Sequence, residues 1–381
     1  MKKKLLCSVM SLTLGMSLLV GCSSNSGADG DTIKIGGLVP LTGAASSYGQ
    51  SVKNGALLLE EELNNAGGLD GKKIQFIFED DQADPNSSIQ AFNKLVNNDK
   101  VVAILGPANS GTALAVSPNA TSKKIPLITP SGTEPNITKK GGEYVFRGCF
   151  IDSFQGEMLA KYAKEGLNKT TAAVLYNAAS DYSKGVADSF KKDFEAKGGT
   201  VTEYLSYNDE DTDFNAQLTK IKSSNPDILV LPDYYNMVGL IAKQARSIGI
   251  TSQLLGGDGW DSEELYTIGG DAVNGALYIN HYYSADTDPT VKSFVDAYKA
   301  KYNQEPDSFA ALSYDSAKIL TDAIKASGDY SGEKIIEALK ATNLNIVTGN
   351  VKFDENRSAV KSASIIKVDG KNKTLVDKVQ P

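Results

Sequence analysis

Short apolar runs alternate with longer amphipathic stretches from Thr32 to Leu255. A short apolar run bounded by turn residues is typical of a buried strand, whereas apolar positions three and four residues apart are typical of a helix. The predicted strands are residues 33–38, 73–78, 101–105, 125–128, 172–176, 201–207, 228–231 and 253–255. The predicted helices after the first are residues 87–97, 112–123, 153–165, 182–196, 214–223 and 237–248.

The first predicted helix carries a signal at each end. Ser47 and Gln50 have the spacing of a capping box, in which a hydroxyl and a carboxamide satisfy free N–H groups of the first turn. Gly67 and Gly68 end the helix. The apolar stripe between these signals consists of Val52, Ala56, Leu59 and Leu63.

Apolar strands separated by helices are typical of parallel sheets that are covered on both faces and joined by right-handed crossovers. Two stretches of similar length show this alternation, one before and one after Phe150. The sequence therefore predicts an α/β protein with two doubly wound lobes, each built on a parallel sheet.

The alternation ends after Tyr278. Three helices with little strand between them follow, and two short strands end the chain. The predicted ranges are residues 291–302, 308–326 and 333–341 for the helices, and residues 349–353 and 363–368 for the strands.

Helices without matching strands indicate that this last part completes lobes already begun. The predicted first lobe is residues 32–150 plus 281–356, and the second is residues 151–280 plus 357–381. Such a chain crosses between the lobes several times, which suits a hinge. Two tandem domains with one linker remain the alternative, although no Pro/Ser-rich linker lies near Phe150.

The N-terminal segment has the features of a bacterial lipoprotein signal peptide. Three lysines precede an apolar run at residues 5–20, which is short for a membrane span and is followed by no charged stop-transfer sequence. Leu19-Val20-Gly21-Cys22 then forms a lipobox, so residues 1–21 are expected to be removed and Cys22 to be lipidated. Residues 22–31 are predicted to be a flexible tether, which places the protein on the outer, extracytoplasmic face of the cell membrane. A chance cysteine at an ordinary secretory cleavage site is the alternative.

The charge of the chain narrows the choice of partners. Removal of residues 1–21 takes away three lysines and no acidic residue, so the formal charge changes from -7 to -10. An acidic protein is a poor partner for nucleic acid or anionic lipid. The composition, 41% hydrophobic and 22% charged, is that of an ordinary globular protein.

Cysteine usage leaves no internal disulfide. Cys7 departs with the leader and Cys22 carries the lipid, so Cys149 remains alone. We expect Cys149 to be a small buried apolar residue, and we expect the fold to depend on its core.

The motifs of common enzymes and cofactor sites are missing. His281 is the only histidine, and no G-x-S-x-G, Walker or G-x-G-x-x-G motif occurs. The acidic run at residues 209–213 departs from a calcium loop and is expected to be a solvated turn. Glu79-Asp80-Asp81 is either a carboxylate cluster or an acidic strand end. We therefore predict a protein that is not an enzyme and that holds no metal or cofactor.

Two polar loops at neighbouring strand ends are the candidate binding chemistry. The strand at residues 101–105 leads into Gly106-Pro107-Ala108-Asn109-Ser110-Gly111-Thr112, where Ser110 is placed to be a helix N-cap and Gly111 leaves the backbone accessible. The next strand leads into Thr129-Pro130-Ser131-Gly132-Thr133. N–H groups and hydroxyls at a helix start bind carboxylates. The alternative is that Ser110 only caps its helix.

Several short motifs occur together in the order found in one protein family. The chain resembles the leucine/isoleucine/valine-binding proteins of ABC importers, which have the type I periplasmic-binding fold, and the resemblance covers Thr32 to Val368. The motifs are Ile33-Lys34-Ile35-Gly36, Pro40-Leu41-Thr42-Gly43, Tyr48-Gly49, Asn54-Gly55-Ala56, Asn65-Ala66-Gly67-Gly68, Glu79-Asp80-Asp81-Gln82-Ala83-Asp84-Pro85, Ser131-Gly132-Thr133-Glu134-Pro135, Phe146-Arg147 and Gly256-Gly257-Asp258-Gly259.

The resemblance implies a site between the lobes. Family positions that bind the carboxylate of an amino acid fall on Ser110 and Thr133 of lobe one. The carbonyl of Ser131 is implied to face the ammonium group, and Asp258 of lobe two to pair with it, where the family prototype has glutamate. The shorter Asp258 has to sit closer to the ligand or act through water.

The resemblance also implies an aromatic wall. Family tyrosines map to Tyr48, Tyr182 and the pair Tyr234 and Tyr235, of which one faces the cleft; each is alternatively an ordinary half-buried aromatic. Trp260 either walls the cleft or belongs to the core.

A departure from the family concerns the loop before Ser110. Pro107-Ala108-Asn109 stands where the prototype has a more apolar loop with a disulfide cysteine. The polar Asn109 near the site favours a ligand with a polar or smaller side chain.

These observations predict a monomeric, non-catalytic receptor that closes its lobes on a zwitterionic amino acid and presents it to an ABC permease. A branched-chain amino acid is favoured by the family. The alternatives are a receptor for another small carboxylate or amide, a sensory ligand-binding module, and an enzyme of unrecognised type.

Overall fold

The structure is a computed structural model that describes residues 28–29 and 32–379. The predicted signal peptide, the lipobox with Cys22 and nearly all of the tether lie outside the described residues. Within the described part of the chain, no helix has both the length and the apolar character that a membrane span needs.

Fifteen strands and twelve α-helices make up the described chain. The strands are β1 (Ala28–Asp29), β2 (Thr32–Val39), β3 (Lys73–Asp80), β4 (Ala103–Leu105), β5 (Leu127–Thr129), β6 (Val145–Arg147), β7 (Thr171–Asn177), β8 (Thr200–Tyr207), β9 (Ile228–Val230), β10 (Gln253–Gly256), β11 (Leu277–Asn280), β12 (Asn343–Ile346), β13 (Gly349–Lys352), β14 (Ala363–Asp369) and β15 (Asn372–Val379). The helices are α1 (Ser46–Asn65), α2 (Pro85–Lys94), α3 (Ser110–Lys123), α4 (Asn136–Gly141), α5 (Asp152–Lys161), α6 (Asp181–Ala196), α7 (Asn215–Ser224), α8 (Tyr235–Ser247), α9 (Glu264–Gly269), α10 (Pro289–Tyr302), α11 (Ser308–Ser327) and α12 (Gly332–Lys340).

The first sheet has five parallel strands in the order β3-β2-β4-β5-β6. The short β1 pairs antiparallel with the start of β2. Because the strands are parallel, the ends of β2, β4 and β5 open onto the same edge of the sheet, where their loops can meet.

The second sheet has the order β8-β7-β9-β10-β11-β14-β15. Its first five strands are parallel, and β14 and β15 are antiparallel additions. The fold class predicted from the sequence, two lobes built mostly on parallel sheets, is confirmed.

The sequence pattern did not predict the outermost strand of the second sheet. The side chains of β15 are exposed or half-buried along its whole length, and its apolar residues form no continuous run. A half-exposed edge strand lacks the buried apolar run that marks a central strand.

The chain passes three times between the lobes. It leaves the first lobe after β6, returns to it after β11, and leaves it again after β13, while α10, α11 and α12 pack on the first lobe. A multiple hinge of this kind was predicted. The residue boundaries assigned to the lobes from the sequence stay a prediction.

The lobes are closed against each other, since one apolar core extends across the cleft. One buried cluster contains Tyr235 and the interior of the second lobe together with four residues of the first lobe: Val39, Tyr48, Ala108 and Phe309. Trp260 lies in this cluster, and its Nε1 donates to the Leu231 carbonyl at 2.9 Å. Trp260 is therefore buried in the core that joins the lobes.

The capping box predicted for the first helix is wrong. The residue before the first turn is Ala45, and no side chain caps it. The hydroxyls of Ser47 and Ser262 lie 2.8 Å apart across the lobes, and Gln50 donates to the side chain of Asn54. The helix start lies at the interface between the lobes, so both polar side chains have partners outside the cap.

The packing of α1 on α11 requires a glycine. A Cβ atom on Gly55 would lie 2.2 Å from the carbonyl oxygen of Ala310. We expect Gly55→Ala to lower the free energy of unfolding by about 1–3 kcal/mol, because backbone would have to move. Thermal or urea denaturation measures this loss.

Gly111→Ala is the matched control for that variant. Gly111 is also helical, but a Cβ atom there would have no heavy atom within 4 Å. The control should keep the wild-type stability or gain up to about 1 kcal/mol from its higher helix propensity. Equal behaviour of the two variants would contradict the close approach of α1 and α11.

Candidate functional site

The loops after β4 and β5 are bonded to each other, as their positions on neighbouring strands predicted. The Thr129 hydroxyl donates to the Pro107 carbonyl at 2.7 Å, and the Ser131 hydroxyl donates to the Ala108 carbonyl at 2.8 Å. These bonds fix the entry of the chain into α3 and bring Ser110 beside Thr133.

Ser110 does not cap its helix, which corrects the prediction. The N-cap position belongs to Asn109, whose side chain makes no capping bond. The Ser110 oxygen accepts from the backbone N–H groups of Thr133 at 3.1 Å and Glu134 at 3.3 Å. The capping prediction failed because Ser110 is the first residue of the helix, one position after the N-cap, and its hydroxyl is bonded to the second loop.

The corner formed by Ser110 and Thr133 is suited to a carboxylate. The Ser110 oxygen already accepts two N–H bonds, so its proton is the one that can be donated, either to the Thr133 hydroxyl at 3.4 Å or to a ligand. The first N–H groups of α3 have no partner within the helix and lie at its positive end. Next to them, Gly111 faces open space.

Asp258 of the second lobe is buried and held at both oxygens. It begins a short turn, Asp258–Trp260, that follows β10. Its Oδ1 accepts from the Tyr182 hydroxyl at 2.9 Å, and its Oδ2 lies 2.8 Å from Nε2 of His281. Its N–H group donates to Gln155 at 3.0 Å.

Tyr182 connects this carboxylate to the rest of the turn. Its hydroxyl accepts from the N–H group of Gly259 at 3.0 Å while donating to Asp258. Burial, and next the charge of Asp258, raise the pKa of Tyr182 well above its usual value. The hydroxyl therefore stays protonated and keeps donating to the carboxylate.

Tyr48 joins the first lobe to the same turn. Its hydroxyl donates to the carbonyl of Gly259 and accepts from the N–H group of Tyr235 at 3.3 Å. Its ring is stacked on Phe309 with centroids 4.1 Å apart. Tyr48 is thus both a packing residue and a polar contact between the lobes.

Of the two adjacent tyrosines, Tyr234 lies among the other candidate residues. Its ring stacks on Tyr182 at 5.0 Å and meets the edge of Tyr48 at 5.6 Å, and its hydroxyl lies beside the Asn109 side chain. Tyr235 instead donates to the Ala44 carbonyl at 2.8 Å, so its hydroxyl supports the contact between the lobes.

Three polar residues at this place were not predicted as parts of the site: Asp152, Gln155 and His281. Asp152 starts α5, is buried, and receives no hydrogen bond of normal geometry on its carboxylate from the described residues. Burial raises the pKa of Asp152 well above its usual value, although Thr133 and Arg147 act in the opposite direction. The sequence offered one signal for these three residues, namely that His281 is its only histidine.

A cavity of about 920 Å³ lies beside this cluster, between α1 and the segment that follows Trp260. It contains neither Ser110, Thr133 nor Asp258. The buried Asp261 on its wall is already bonded to Tyr278, Asn280, Ser308 and Lys373. The groups at Ser110 and Asp258 are the better candidate, because they present helix-start N–H groups and hydroxyls from one lobe and a carboxylate from the other.

The remaining acidic motifs have structural partners. Asp209 accepts from Asn177 at 2.6 Å, and Asp211 accepts from the N–H group of Asn208 at 2.8 Å. The described residues contain no group of three or more metal-ligating side chains that could hold an ion.

The described chain matches known proteins over most of its length. The family model described as "Periplasmic binding protein" matches residues 32–373. A leucine-, isoleucine-, valine-, threonine- and alanine-binding protein of Pseudomonas aeruginosa is 33% identical over 326 residues, covering 85% of this chain and 86% of that protein.

Solved structures show the same similarity. A branched-chain amino acid transporter substrate-binding protein of Streptococcus pneumoniae, in complex with isoleucine, is 37% identical with a TM-score of 0.87, covering 92% of this chain and 100% of that one. A solute-binding protein of Rhodopseudomonas palustris, in complex with 3,4-dihydroxybenzoic acid, is 28% identical with a TM-score of 0.83, covering 92% and 98%.

The buried carboxyl of Asp152, which has no hydrogen-bond partner of normal geometry among the described residues, is expected to lower the free energy of unfolding at neutral pH. A carboxyl with a raised pKa contributes stability that is present below its unfolded pKa, about 3.9, and is lost as the pH rises toward the folded value. We therefore expect Asp152→Asn to raise the free energy of unfolding at neutral pH by about 1–3 kcal/mol, the usual penalty of an unpaired buried polar group. The gain should shrink toward acid pH in thermal denaturation.

Asp181→Asn serves as the control, since Asp181 is exposed in the first turn of α6. This control should not gain stability. A loss of stability in Asp152→Asn, or a gain that does not change with pH, would contradict the proposed penalty.

Proposed function

The chain belongs to the family of periplasmic binding proteins, and on that premise we propose that it binds an amino acid between its lobes. A branched-chain amino acid is the favoured ligand, and the receptor delivers it to an ABC importer of the membrane.

The observation that carries this proposal is the complementary chemistry of the two lobes. The first lobe presents the hydroxyls of Ser110 and Thr133 at the positive end of α3. The second lobe presents the buried carboxylate of Asp258. An amino acid carries a carboxylate and an ammonium group on one carbon, so a single small ligand satisfies both lobes.

Binding and closure are coupled in this proposal. A ligand that touches both lobes stabilises the closed arrangement more than the open one, and it shifts the hinge equilibrium by that difference in affinity. Exclusion of water strengthens both charged contacts. The Ser131 carbonyl, which the family resemblance assigns to the ammonium group, would add a third contact on the side of the first lobe.

The aromatic wall favours a ligand with an apolar side chain. A contiguous group of tyrosine rings lies next to the positions proposed for the carboxylate and ammonium groups of the ligand. These rings belong to Tyr48, Tyr182 and Tyr234. Asn109 lies beside Tyr234 and supports tolerance of a small or polar side chain. Two of the similar proteins named above are described as binding branched-chain amino acids, and one of them also threonine and alanine.

A second candidate ligand is a carboxylate without an ammonium group. The similar protein from Rhodopseudomonas palustris with 3,4-dihydroxybenzoic acid supports it. Such a ligand would use the corner at Ser110 but would leave Asp258 facing an anion. An ionised carboxylate near an anion is unfavourable, so the amino acid remains the better match.

Ligand screening tests the proposal directly. A ligand that binds only the folded protein stabilises it by about 2.7 kcal/mol at one hundred times its dissociation constant. We expect leucine, isoleucine or valine to raise the melting temperature, and 3,4-dihydroxybenzoate to raise it less. A folded protein that responds to no amino acid would contradict the proposal.

Asp258→Asn tests the ammonium contact. Removal of one charge from a buried pair typically costs about 2–5 kcal/mol, so affinity for the amino acid should fall by about 30-fold or more in calorimetry. Affinity for 4-methylpentanoate, which is leucine without its ammonium group, should not fall. Glu263→Gln, an exposed acid nearby, is the matched control and should bind as wild type does.

Membrane anchoring through Cys22 is part of the same proposal. We expect Cys22→Ser to move the protein from the membrane fraction to the soluble fraction of cells. Cys149→Ser is the matched control, because Cys149 is buried and should not affect fractionation. Equal fractionation of the two variants would favour an ordinary secretory cleavage.

A further inference from the structure

His281 stands at the end of β11, next to the end of β10 from which Asp258 follows. It is the only histidine of the sequence and is 3% exposed. Because β10 and β11 are neighbours in one sheet, the contact between the two residues forms where the chain leaves that sheet and returns to the first lobe.

The ring of His281 has a single polar contact. Its face stacks on Phe150 with centroids 3.7 Å apart, and Nε2 lies 2.8 Å from Oδ2 of Asp258. The described residues offer Nδ1 no hydrogen-bond partner. An ionised carboxylate can only accept, so Nε2 carries the proton of the neutral ring, and a second proton would bind at Nδ1.

The carboxylate of Asp258 has acceptor capacity beyond its two protein contacts. Each of its oxygens accepts one bond, from Tyr182 or from His281. Two carboxylate oxygens have about four acceptor positions, so room remains for an ammonium group. A neutral imidazole leaves the full negative charge of Asp258 to that group, whereas an imidazolium neutralises it.

We propose that His281 is a proton-linked positioning residue for the amino-acid ammonium group. In its neutral form it orients Asp258 toward the ligand, and in its protonated form it competes with the ligand for the same carboxylate. This inference rests on the proposed function, since it concerns the same site.

The charged surroundings of His281 set the direction of the pH dependence. Burial lowers the pKa of His281, and the positive charge of Lys361 acts the same way, while Asp258 and Asp261 oppose them. The ring is accordingly neutral at neutral pH. Amino-acid affinity is then full above the pKa of His281 and falls as the pH decreases through it.

The linkage is reciprocal. If protonation weakens binding, binding must lower the pKa of His281 by the same factor. The physical cause is repulsion between the ammonium group and the imidazolium on one carboxylate. Couplings between neighbouring sites are typically about 5-fold to 150-fold, which corresponds to a decrease of about one to two pKa units.

The sole histidine makes a direct measurement possible on the unmodified protein. Proton NMR of the mature chain would follow one imidazole between about pH 5 and about pH 8, first alone and then with saturating L-isoleucine. We expect the amino acid to lower the pKa of His281 by about one unit. We also expect proton release on binding, measured as the dependence of the calorimetric heat on the ionisation enthalpy of the buffer.

Two variants separate positioning from simple packing. Gln keeps an N–H donor but cannot be protonated, so the affinity of His281→Gln should depend less on pH over this range than the affinity of the wild type. Phe keeps the stack on Phe150 but has no donor, so the affinity of His281→Phe should be reduced at every pH.

Other groups of the site titrate as well, which is why His281→Gln is compared with wild type. Burial raises the pKa of Asp233 to about 6 and raises the pKa of Asp152 well above its usual value. Their contributions to the pH profile persist in His281→Gln, so the difference between the two profiles belongs to His281.

The measurements distinguish failure of this inference from failure of the proposed function. L-isoleucine that binds without moving the pKa of His281, or equal pH profiles in wild type and His281→Gln, would overturn this inference and leave the proposed function intact. No binding of L-isoleucine, L-leucine or L-valine at any pH would overturn the proposed function, and the inference with it.

Discussion

Burial of the Asp258 carboxylate is the constraint on which the site depends. A charged group removed from water must be compensated by hydrogen bonds, since an uncompensated buried charge costs several kcal/mol. The second lobe meets this requirement with Tyr182 and His281 on the side chain and Gln155 on the backbone. The carboxylate is thereby held in one orientation before any ligand arrives.

The same turn also carries the contact between the lobes. Tyr48 reaches from the first lobe to the carbonyl of Gly259, one residue after the carboxylate, and Asp261 accepts from the N–H group that begins α11 at 2.7 Å. The buried carboxylate and these contacts between the lobes thus lie within four consecutive residues. A chain that crosses three times between its lobes can open there without disrupting either sheet.

The apolar and polar pattern of short stretches predicted the features of the fold that depend on those stretches alone. Alternating apolar runs predicted two parallel sheets, and their connectivity placed Ser110 and Thr133 side by side, because neighbouring parallel strands end at one edge. The capping roles assigned to Ser47 and Ser110 were wrong because distant partners, Ser262 and the loop at Thr133, bind their hydroxyls. The contribution of a short polar side chain depends on which partner is closest in three dimensions.

Residues that act through tertiary contacts left little trace in the sequence. Asp152 and His281 belong to no motif, and only the fold brings their elements to the cleft. Tyr234 and Tyr235 are adjacent in the chain, so periodicity could not separate them, whereas a stacked ring and a bond to Ala44 do. The edge strand β15 was missed for another reason, since its apolar residues form neither a continuous run nor a strict alternation.

Trp260 gives this arrangement a further use. It is the only tryptophan of the protein, it is fully buried, and it closes the short turn that Asp258 begins. Indole emission responds to nearby charge and to the polarity around the ring. The protein therefore contains an intrinsic optical probe two residues from the Asp258 carboxylate, and its fluorescence reports on that turn without any label.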